Sequence, residues 1–211
     1  MKFLIVSILV FSCSATFAQK KNYEYQDTRK KNESYAKLPK DQVRSDLATF
    51  TLSGVDESVA REDFIKIPFT SFDASRMTFE GDDIKASVTT SPFDAKKHRL
   101  DYDEGWLIKI DRKPFYGGYG TVPKNYIGSI IMTVGQDSVS IPQAAYADLY
   151  NLNLTYKDKG VEKSRNGIFS SKDGHRIYLY LFCKDASGSY EVTFIIQDKR
   201  YIKRVLDYGF M

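Results

Sequence analysis

Apolar and polar residues alternate along most of the chain after residue 60, which is the period of a β-strand with one buried face. The segments DFIKIPF, DIKASVTT and GWLIKID follow this pattern, and YIGSIIMTV is joined to SVSIP by a glycine-containing turn. Turn residues separate about eight to ten such segments. The pattern predicts a mainly β fold, an antiparallel two-sheet sandwich or flattened barrel with one or two short helices. A doubly wound fold is disfavoured, because strands and helices do not alternate.

The segment RIYLYLFCK differs, because both of its faces are apolar. One face carries Ile177, Leu179, Leu181 and Cys183, and the other carries Tyr178, Tyr180 and Phe182. The pattern indicates a central strand covered on both sides, or a strand with one aromatic face. Its natural partner is YEVTFII, across the hairpin loop KDASGS. On the aliphatic face, Cys183 is expected to pack as a small hydrophobe rather than act as a nucleophile.

The same hairpin loop places Asp185, Ser187 and Ser189 at alternate positions, as the first ligands of a calcium loop are placed. Only one of the three is a carboxylate, and no acidic residue stands where the distal ligand is needed. Turn chemistry accounts for these residue types without a metal. The two histidines, His98 and His175, are far apart in sequence, and His98 lies in what looks like a surface turn. We therefore predict no metal site and no cofactor.

Two segments break the strand pattern. In DQVRSDLATF, Val43, Leu47 and Phe50 recur at helical spacing after Asp41, which is a suitable N-cap, so a short helix is predicted there. In IPQAAYADLYN, apolar residues recur at i and i+4 behind Pro142, which predicts a helix of about two turns.

The chain begins with one lysine, an apolar run and then small residues that end at Ala18, which is the pattern of a secretory signal peptide. We expect residues 1–18 to be removed, residues 19–40 to form a flexible polar leader, and residues 41–211 to form a single β-rich domain. The apolar run is too short for a transmembrane span.

A second cleavage site is possible in the same region. The segment VFSC, which ends at Cys13, loosely resembles a lipoprotein box, in which the cysteine becomes the lipidated first residue. Membrane anchoring is therefore expected only if Cys13 is lipidated. If cleavage follows Ala18 instead, Cys183 is the one cysteine left, and the exported chain has no internal disulfide.

Composition narrows the class of protein. Hydrophobic residues make up 42% and aromatic residues 14% of the chain, which is ample for a packed core. The formal net charge is only +4. Nucleic-acid binding calls for a dense basic face, so this balance gives no case for such a partner.

Clustered carboxylates offer one catalytic possibility. LDYDEGW brings Asp101, Asp103 and Glu104 together, and EGDD offers a second group, Glu80, Asp82 and Asp83. Hydrolysis of a glycosidic bond needs only two carboxyl groups, so a glycan-acting hydrolase using the pair near 101–104 is the alternative function. No nucleophile elbow and no phosphate-binding glycine motif occurs, and no catalytic residue is assigned.

The favoured function is non-enzymatic binding through an aromatic region. This region runs from residue 106 to residue 126 and carries Trp106, Phe115, Tyr116, Tyr119 and Tyr126. Aromatic faces beside carboxylates and amides hold sugar rings by stacking and by C–H contacts. We expect these residues to bind a saccharide or a partner protein of the cell envelope. The alternative is that the rings cover the core at one end of the sheets.

The C-terminal half, from PFYGGYG through IPQAAYADLYN to the final strand, resembles exported proteins of Gram-negative bacteria of the Bacteroidetes type, and the FAQ ending of the signal segment is similar to theirs. The resemblance implies a periplasmic or secreted location. It implies no activity and no functional residues.

Overall fold

The structure is a computed structural model that describes residues 25–28, 64–118, 120–184 and 188–208. Within these ranges the chain is mainly β, as the alternating pattern predicts. The strands are, in chain order, β1 (Tyr25–Thr28), β2 (Phe64–Ile67), β3 (Phe69–Phe72), β4 (Arg76–Gly81), β5 (Ile84–Pro92), β6 (Leu100–Asp103), β7 (Trp106–Ile110), β8 (Asn125–Val134), β9 (Asp137–Val139), β10 (Tyr156–Asp158), β11 (Val161–Lys163), β12 (Gly167–Ser171), β13 (Arg176–Cys183), β14 (Tyr190–Gln197) and β15 (Arg200–Tyr208). Two single-turn 3₁₀ helices lie at Ala95–Lys97 and Gln143–Ala145.

Two sheets account for most of these strands. One has six strands in the order β1-β15-β14-β13-β12-β2, and the other has five in the order β3-β4-β5-β8-β9. β6 and β7 form a separate hairpin, as do β10 and β11. The chain passes from one sheet to the other at Pro68, the single residue between β2 and β3. The described strands form no closed barrel, so of the two predicted architectures the sandwich is the one that fits.

The main core lies between the two sheets. Apolar side chains from the facing surfaces bury one another almost completely, and each contributes about 1.5–3 kcal/mol relative to an exposed position. The six-stranded sheet supplies Ile67, Ile168, Leu179, Leu181, Phe194 and Leu206, and the five-stranded sheet supplies Met77, Phe79, Ile84, Val88, Ile127 and Met132.

The two faces of β13 belong to different clusters, which confirms the central strand predicted from RIYLYLFCK. Leu179, Leu181 and Cys183 lie in the main core. The opposite face joins a second cluster made of Phe169, Tyr178, Tyr180, Phe182, Ile195 and Val205. Cys183 is fully buried, and its thiol donates a hydrogen bond to the carbonyl of Asn151 at 3.1 Å. Cys183 opposes Tyr190 in the β13–β14 ladder, so the predicted hairpin forms, while residues 185–187 of its loop lie outside the described residues.

Several hairpins turn on pairs of residues that both have positive φ. Asp82 and Asp83 join β4 to β5 at φ +50° and +58°, and Asp198 and Lys199 join β14 to β15 at φ +48° and +62°. Two-residue turns of this hand match the twist of the flanking strands, and Asp tolerates the left-handed region better than most residues do. The sequence signal for these turns is therefore the acidic residue as much as glycine.

The predicted two-turn helix behind Pro142 is wrong in length. Only Gln143–Ala145 is helical, as one 3₁₀ turn, and Tyr146 leaves the helix at φ −141°. The backbone groups that a longer helix would use are bonded elsewhere. The carbonyl of Ala145 accepts from Arg204, and the carbonyl of Asp148 accepts from the amide of Tyr116. Tertiary contacts thus override the local helical spacing.

Tyr25–Thr28 lie within the flexible polar leader that is predicted over residues 19–40. These residues form β1, which pairs in parallel with β15 and opposes Tyr25 to Arg204. The predicted helix over residues 41–50, the proposed signal peptide and the remaining leader lie outside the described residues. Within the part of the chain that the structure describes, no helix is long and apolar enough to cross a membrane.

Candidate ligand-binding site

A cavity of about 510 Å³ opens beside the sandwich, between the β6–β7 hairpin, the start of β8 and the segment 142–150. This volume falls in the range of about 300–1,000 Å³ that small-molecule sites occupy. Its lining comes from four separate stretches of chain and consists of Phe93, His98, Ile110, Asp111, Lys113, Pro114, Phe115, Tyr126, Ile127, Gln143, Ala144, Ala147, Asp148 and Tyr150.

Aromatic rings form the walls of this cavity, which we call the aromatic cavity. The ring of Tyr150 is nearly buried, and Phe93 and Phe115 stand almost perpendicular to it. The ring centroids are 5.5 Å and 5.8 Å from that of Tyr150, the edge-to-face arrangement that aromatic rings favour. Tyr126 packs against the same cluster from β8. The cavity therefore combines fixed apolar surfaces with an open interior.

A histidine and a carboxylate lie together in the cavity wall. The Nδ1 of His98 donates a hydrogen bond to Asp111 at 2.7 Å, and the ring of His98 stacks on Phe93 with centroids 4.6 Å apart. The backbone amide of Arg99 donates to the other oxygen of Asp111 at 2.9 Å. The hydrogen bonds from His98 and from Arg99 lower the pKa of Asp111, so this carboxylate is ionised at neutral pH.

Local backbone geometry explains where this pair sits. Asp111 and Arg112 have φ +50° and +66° and form a tight turn after β7, closed by mutual backbone hydrogen bonds between Ile110 and Lys113. The amide of Asp111 also donates to the carbonyl of Arg99. The turn is thereby anchored beside His98, which ends the first 3₁₀ helix.

The second carboxylate of the cavity is tied to the sandwich. Asp148 accepts two hydrogen bonds from the guanidinium of Arg204, at 2.6 Å and 2.8 Å, and Arg204 also donates to the carbonyl of Ala145 at 2.9 Å. The side chain of Arg204 is only 2% exposed, whereas that of Asp148 is 27% exposed. A bidentate pair of this kind fixes the orientation of the carboxylate as well as its charge.

Burial and charge also act on the phenol at the back of the cavity. Burial, together with smaller contributions from the nearby carboxylates of Asp111 and Asp148, raises the pKa of Tyr150 to about 12. Tyr150 therefore stays protonated at neutral pH, with a hydroxyl that is able to donate a hydrogen bond.

The structure brings together two of the five aromatic residues predicted to bind a ligand. Phe115 and Tyr126 line the cavity. Tyr116 does not, because its ring packs 5.0 Å from that of Tyr208, with the guanidinium of Arg204 6.0 Å from its centroid. Trp106 lies outside the lining, 55% exposed, with its indole against Gly120. Tyr119 lies outside the described residues.

The acidic residues considered for hydrolysis lie elsewhere. Asp101 accepts a hydrogen bond from Nε of Arg99 at 2.8 Å, while Asp103 and Glu104 are exposed at the tip of the β6–β7 hairpin. None of the three belongs to the cavity lining. The EGDD group ends β4 and forms its turn to β5, and Glu80 pairs with Lys85 at 2.7 Å.

Sequence reasoning missed most of the lining, including the histidine that was assigned to a surface turn. Among the missed residues are Phe93, His98, Asp111, Lys113, Asp148 and Tyr150. No short motif links them, because they converge only when the 93–98, 110–115 and 143–150 stretches pack together. The one local signal was the aromatic density of IPQAAYADLYN, which was interpreted as a helix face.

No protein-family model, no curated protein and no solved structure matches this chain. The described residues contain no group of three or more His, Cys, Asp or Glu side chains that could hold a metal ion.

Proposed function

We propose that this protein is an exported, saccharide-binding protein and that the aromatic cavity is its binding site. The observation that carries the proposal is the combination, in one cavity of about 510 Å³, of perpendicular aromatic walls with carboxylates held in place by their own partners. Sugar rings present C–H surfaces that pack on aromatic faces and hydroxyls that need polar partners at fixed positions.

The state of the carboxylates supports binding of hydroxyl groups. The contacts of Asp111 with His98 and with the amide of Arg99 favour its ionised form, and Asp148 is paired with the guanidinium of Arg204. An ionised carboxylate accepts hydrogen bonds and donates none, so these two groups suit the hydroxyls of a polyol. A general acid for glycoside cleavage must instead be protonated, which these contacts oppose.

The site is tested by calorimetry against a panel of oligosaccharides with the wild type, Phe115→Ala and Trp106→Ala. We expect at least one oligosaccharide to bind, Phe115→Ala to weaken that binding about tenfold, which is about 1.4 kcal/mol, and Trp106→Ala to leave it unchanged. Tyr126→Phe provides a milder variant that keeps the wall and removes one hydroxyl. The proposal would be contradicted if no oligosaccharide of the panel bound. It would also be contradicted if Trp106→Ala abolished binding while Phe115→Ala kept it.

Export is tested separately, by the intact mass of the protein recovered from its native envelope or medium. Cleavage after Ala18 leaves a chain that starts at Gln19, as the signal-peptide pattern predicts. A lipidated chain that starts at Cys13 would make it a membrane-anchored protein, and an uncleaved Met1 would argue against export.

A further inference from the structure

The polar groups of the aromatic cavity are unequally provided with partners. The two carboxylates each have a strong donor, since Asp111 accepts from His98 and Asp148 accepts from Arg204. Lys113 and Gln143 also line the cavity, and among the described residues neither side chain has a hydrogen bond or ion pair. Of these two groups, the ammonium of Lys113 can only donate, whereas the amide of Gln143 both donates and accepts.

The charge balance points the same way. The guanidinium of Arg204 neutralises Asp148 at close range. Lys113 lies near enough to Asp111 to contribute to the lowering of its pKa, but it forms no ion pair with it. Among the described residues of the lining, the ammonium of Lys113 is thus a full positive charge that forms no hydrogen bond or ion pair. A compact ammonium group binds a carboxylate as a point charge.

We propose that the saccharide bound in the aromatic cavity is acidic, with a hexuronic acid unit whose carboxylate pairs with Lys113. The inference rests on the proposed function, because it names the class of ligand for the same cavity. The sugar ring lies against the aromatic walls, the hydroxyls donate to Asp111 and Asp148, and the carboxylate accepts from Lys113 and from the amide of Gln143. Each polar group of the ligand then meets a group of the opposite hydrogen-bonding type.

Matched ligands separate this inference from the proposed function. Oligomers of glucuronic, mannuronic and galacturonic acid are compared with oligomers of glucose, mannose and galactose, which differ only in carrying a hydroxymethyl group in place of the carboxylate. We expect at least one acidic oligomer to bind about tenfold or more tightly than its neutral counterpart. The preference should shrink as salt rises from 0.05 M to 0.5 M, because an exposed ammonium is screened over about 10 Å or less.

Matched variants identify the residue. Lys113→Met removes the charge and keeps most of the stem, while Lys109→Met removes a similar exposed charge from β7, outside the cavity. We expect Lys113→Met to bring the affinity for the acidic oligomer down to that for the neutral one, and Lys109→Met to keep the preference. Equal affinity of wild type for both members of every pair overturns the inference and leaves saccharide binding standing. Absence of binding to any oligomer overturns both.

Discussion

The guanidinium of Arg204, in the C-terminal strand of the six-stranded sheet, grips the carboxylate of Asp148, in the wall of the aromatic cavity, through two hydrogen bonds of 2.6 Å and 2.8 Å. The two residues are 56 positions apart in sequence. The pair connects the sandwich to the cavity wall, and it holds the 142–150 segment where the sequence would otherwise favour a longer helix. The cavity wall is thus part of the core structure and not a free loop.

The two partners of this pair should differ in what their removal costs. Asp148→Ala leaves a guanidinium that is 2% exposed without two of its hydrogen bonds, so we expect a loss of about 3–5 kcal/mol in unfolding free energy. Arg204→Met leaves a carboxylate that is 27% exposed and open to cavity water, so the loss should be smaller, about 1–3 kcal/mol. Urea denaturation measures both.

An exposed ion pair is the control for that comparison. Lys163 and Asp158 are 2.7 Å apart on the β10–β11 hairpin, both about half exposed. Asp158→Ala should cost no more than about 1 kcal/mol. An equal loss for Asp148→Ala and Arg204→Met would show that burial does not set the cost of breaking the pair.

Gly120 should be needed for the position of Trp106. Gly120 has φ +80°, and a methyl group on its Cα would overlap the indole ring, whereas Gly105, at φ +86°, has open space around it. Gly105→Ala should therefore cost only about 1 kcal/mol of backbone strain, while Gly120→Ala should cost more and displace the indole. Trp106 is the single tryptophan of the chain, so its emission reports the displacement directly. An unchanged emission maximum in Gly120→Ala, alongside an unchanged Gly105→Ala, would contradict the contact.

Asp111 should support ligand binding in two ways, by accepting from ligand hydroxyls and by fixing the tautomer of His98. With Nδ1–H bonded to Asp111, the neutral ring presents an unprotonated Nε2. Asp111→Asn removes the carboxylate that accepts from Nδ1 of His98, and we expect saccharide affinity to fall about tenfold. The loss in unfolding free energy should be about 1 kcal/mol or less, because the pair is partly exposed. His175 and Asp198 form a similar pair at 2.8 Å at an exposed turn outside the cavity, so Asp198→Asn should not change affinity.

Asp111→Asn should also change how folding stability depends on pH under acidic conditions. The pKa of Asp111 is lowered in the folded protein from an ordinary value of 3.8, so its contribution to stability is present above that value and is lost as pH falls through the lower one. Asp111→Asn should therefore show a flatter loss of stability below about pH 4 than the wild type. If the free energy of unfolding falls equally in the two proteins below about pH 4, the lowered pKa of Asp111 is wrong.

Tyr150 should contribute to the loss of folding stability at alkaline pH. Its pKa is about 12 in the folded protein, against 10.0 ordinarily, so the stability tied to its proton is present below pH 10 and is lost as pH rises through about 12. Tyr150→Phe should match the wild type closely at pH 7 and exceed it at pH 11, by up to about 1.4 kcal/mol. Urea midpoints at the two pH values measure this. Tyr102→Phe, at an exposed strand position, is the control, and a gain of equal size there would point to a general effect of alkali.

The sandwich was predictable because its signal is local. Period-two alternation marks strands such as β5 and β7, and the doubly apolar run from Ile177 to Cys183 marks the centre of a sheet. Acidic and glycine residues mark the tight hairpins. The short parallel strand at Tyr25–Thr28 carries no such pattern, since its four residues are all polar or amphipathic, and its partner β15 lies far away in sequence.

Only a small part of the cavity was predictable, because its lining comes from separate stretches of chain, and even the aromatic residues Phe93 and Tyr150 lie outside the 106–126 region. Phe115 and Tyr126 were found by composition. Tyr116 follows Phe115 directly in sequence, yet its ring packs against Tyr208 and does not line the cavity. His98 and Asp111 meet across 13 positions through a turn whose tightness depends on two non-glycine residues at positive φ.

Two contacts of β15 bear on the order of folding. β15 pairs in parallel with β1, and its Arg204 bonds to Asp148. β15 is the last described strand to leave the ribosome, yet it is the strand that secures both the N-terminal edge of its sheet and the wall of the cavity. Contacts between such distant positions form late, because the chain must first close a long loop. We therefore expect a chain truncated before β15 to assemble its five-stranded sheet and to leave the ligand site unformed, so that binding requires β15.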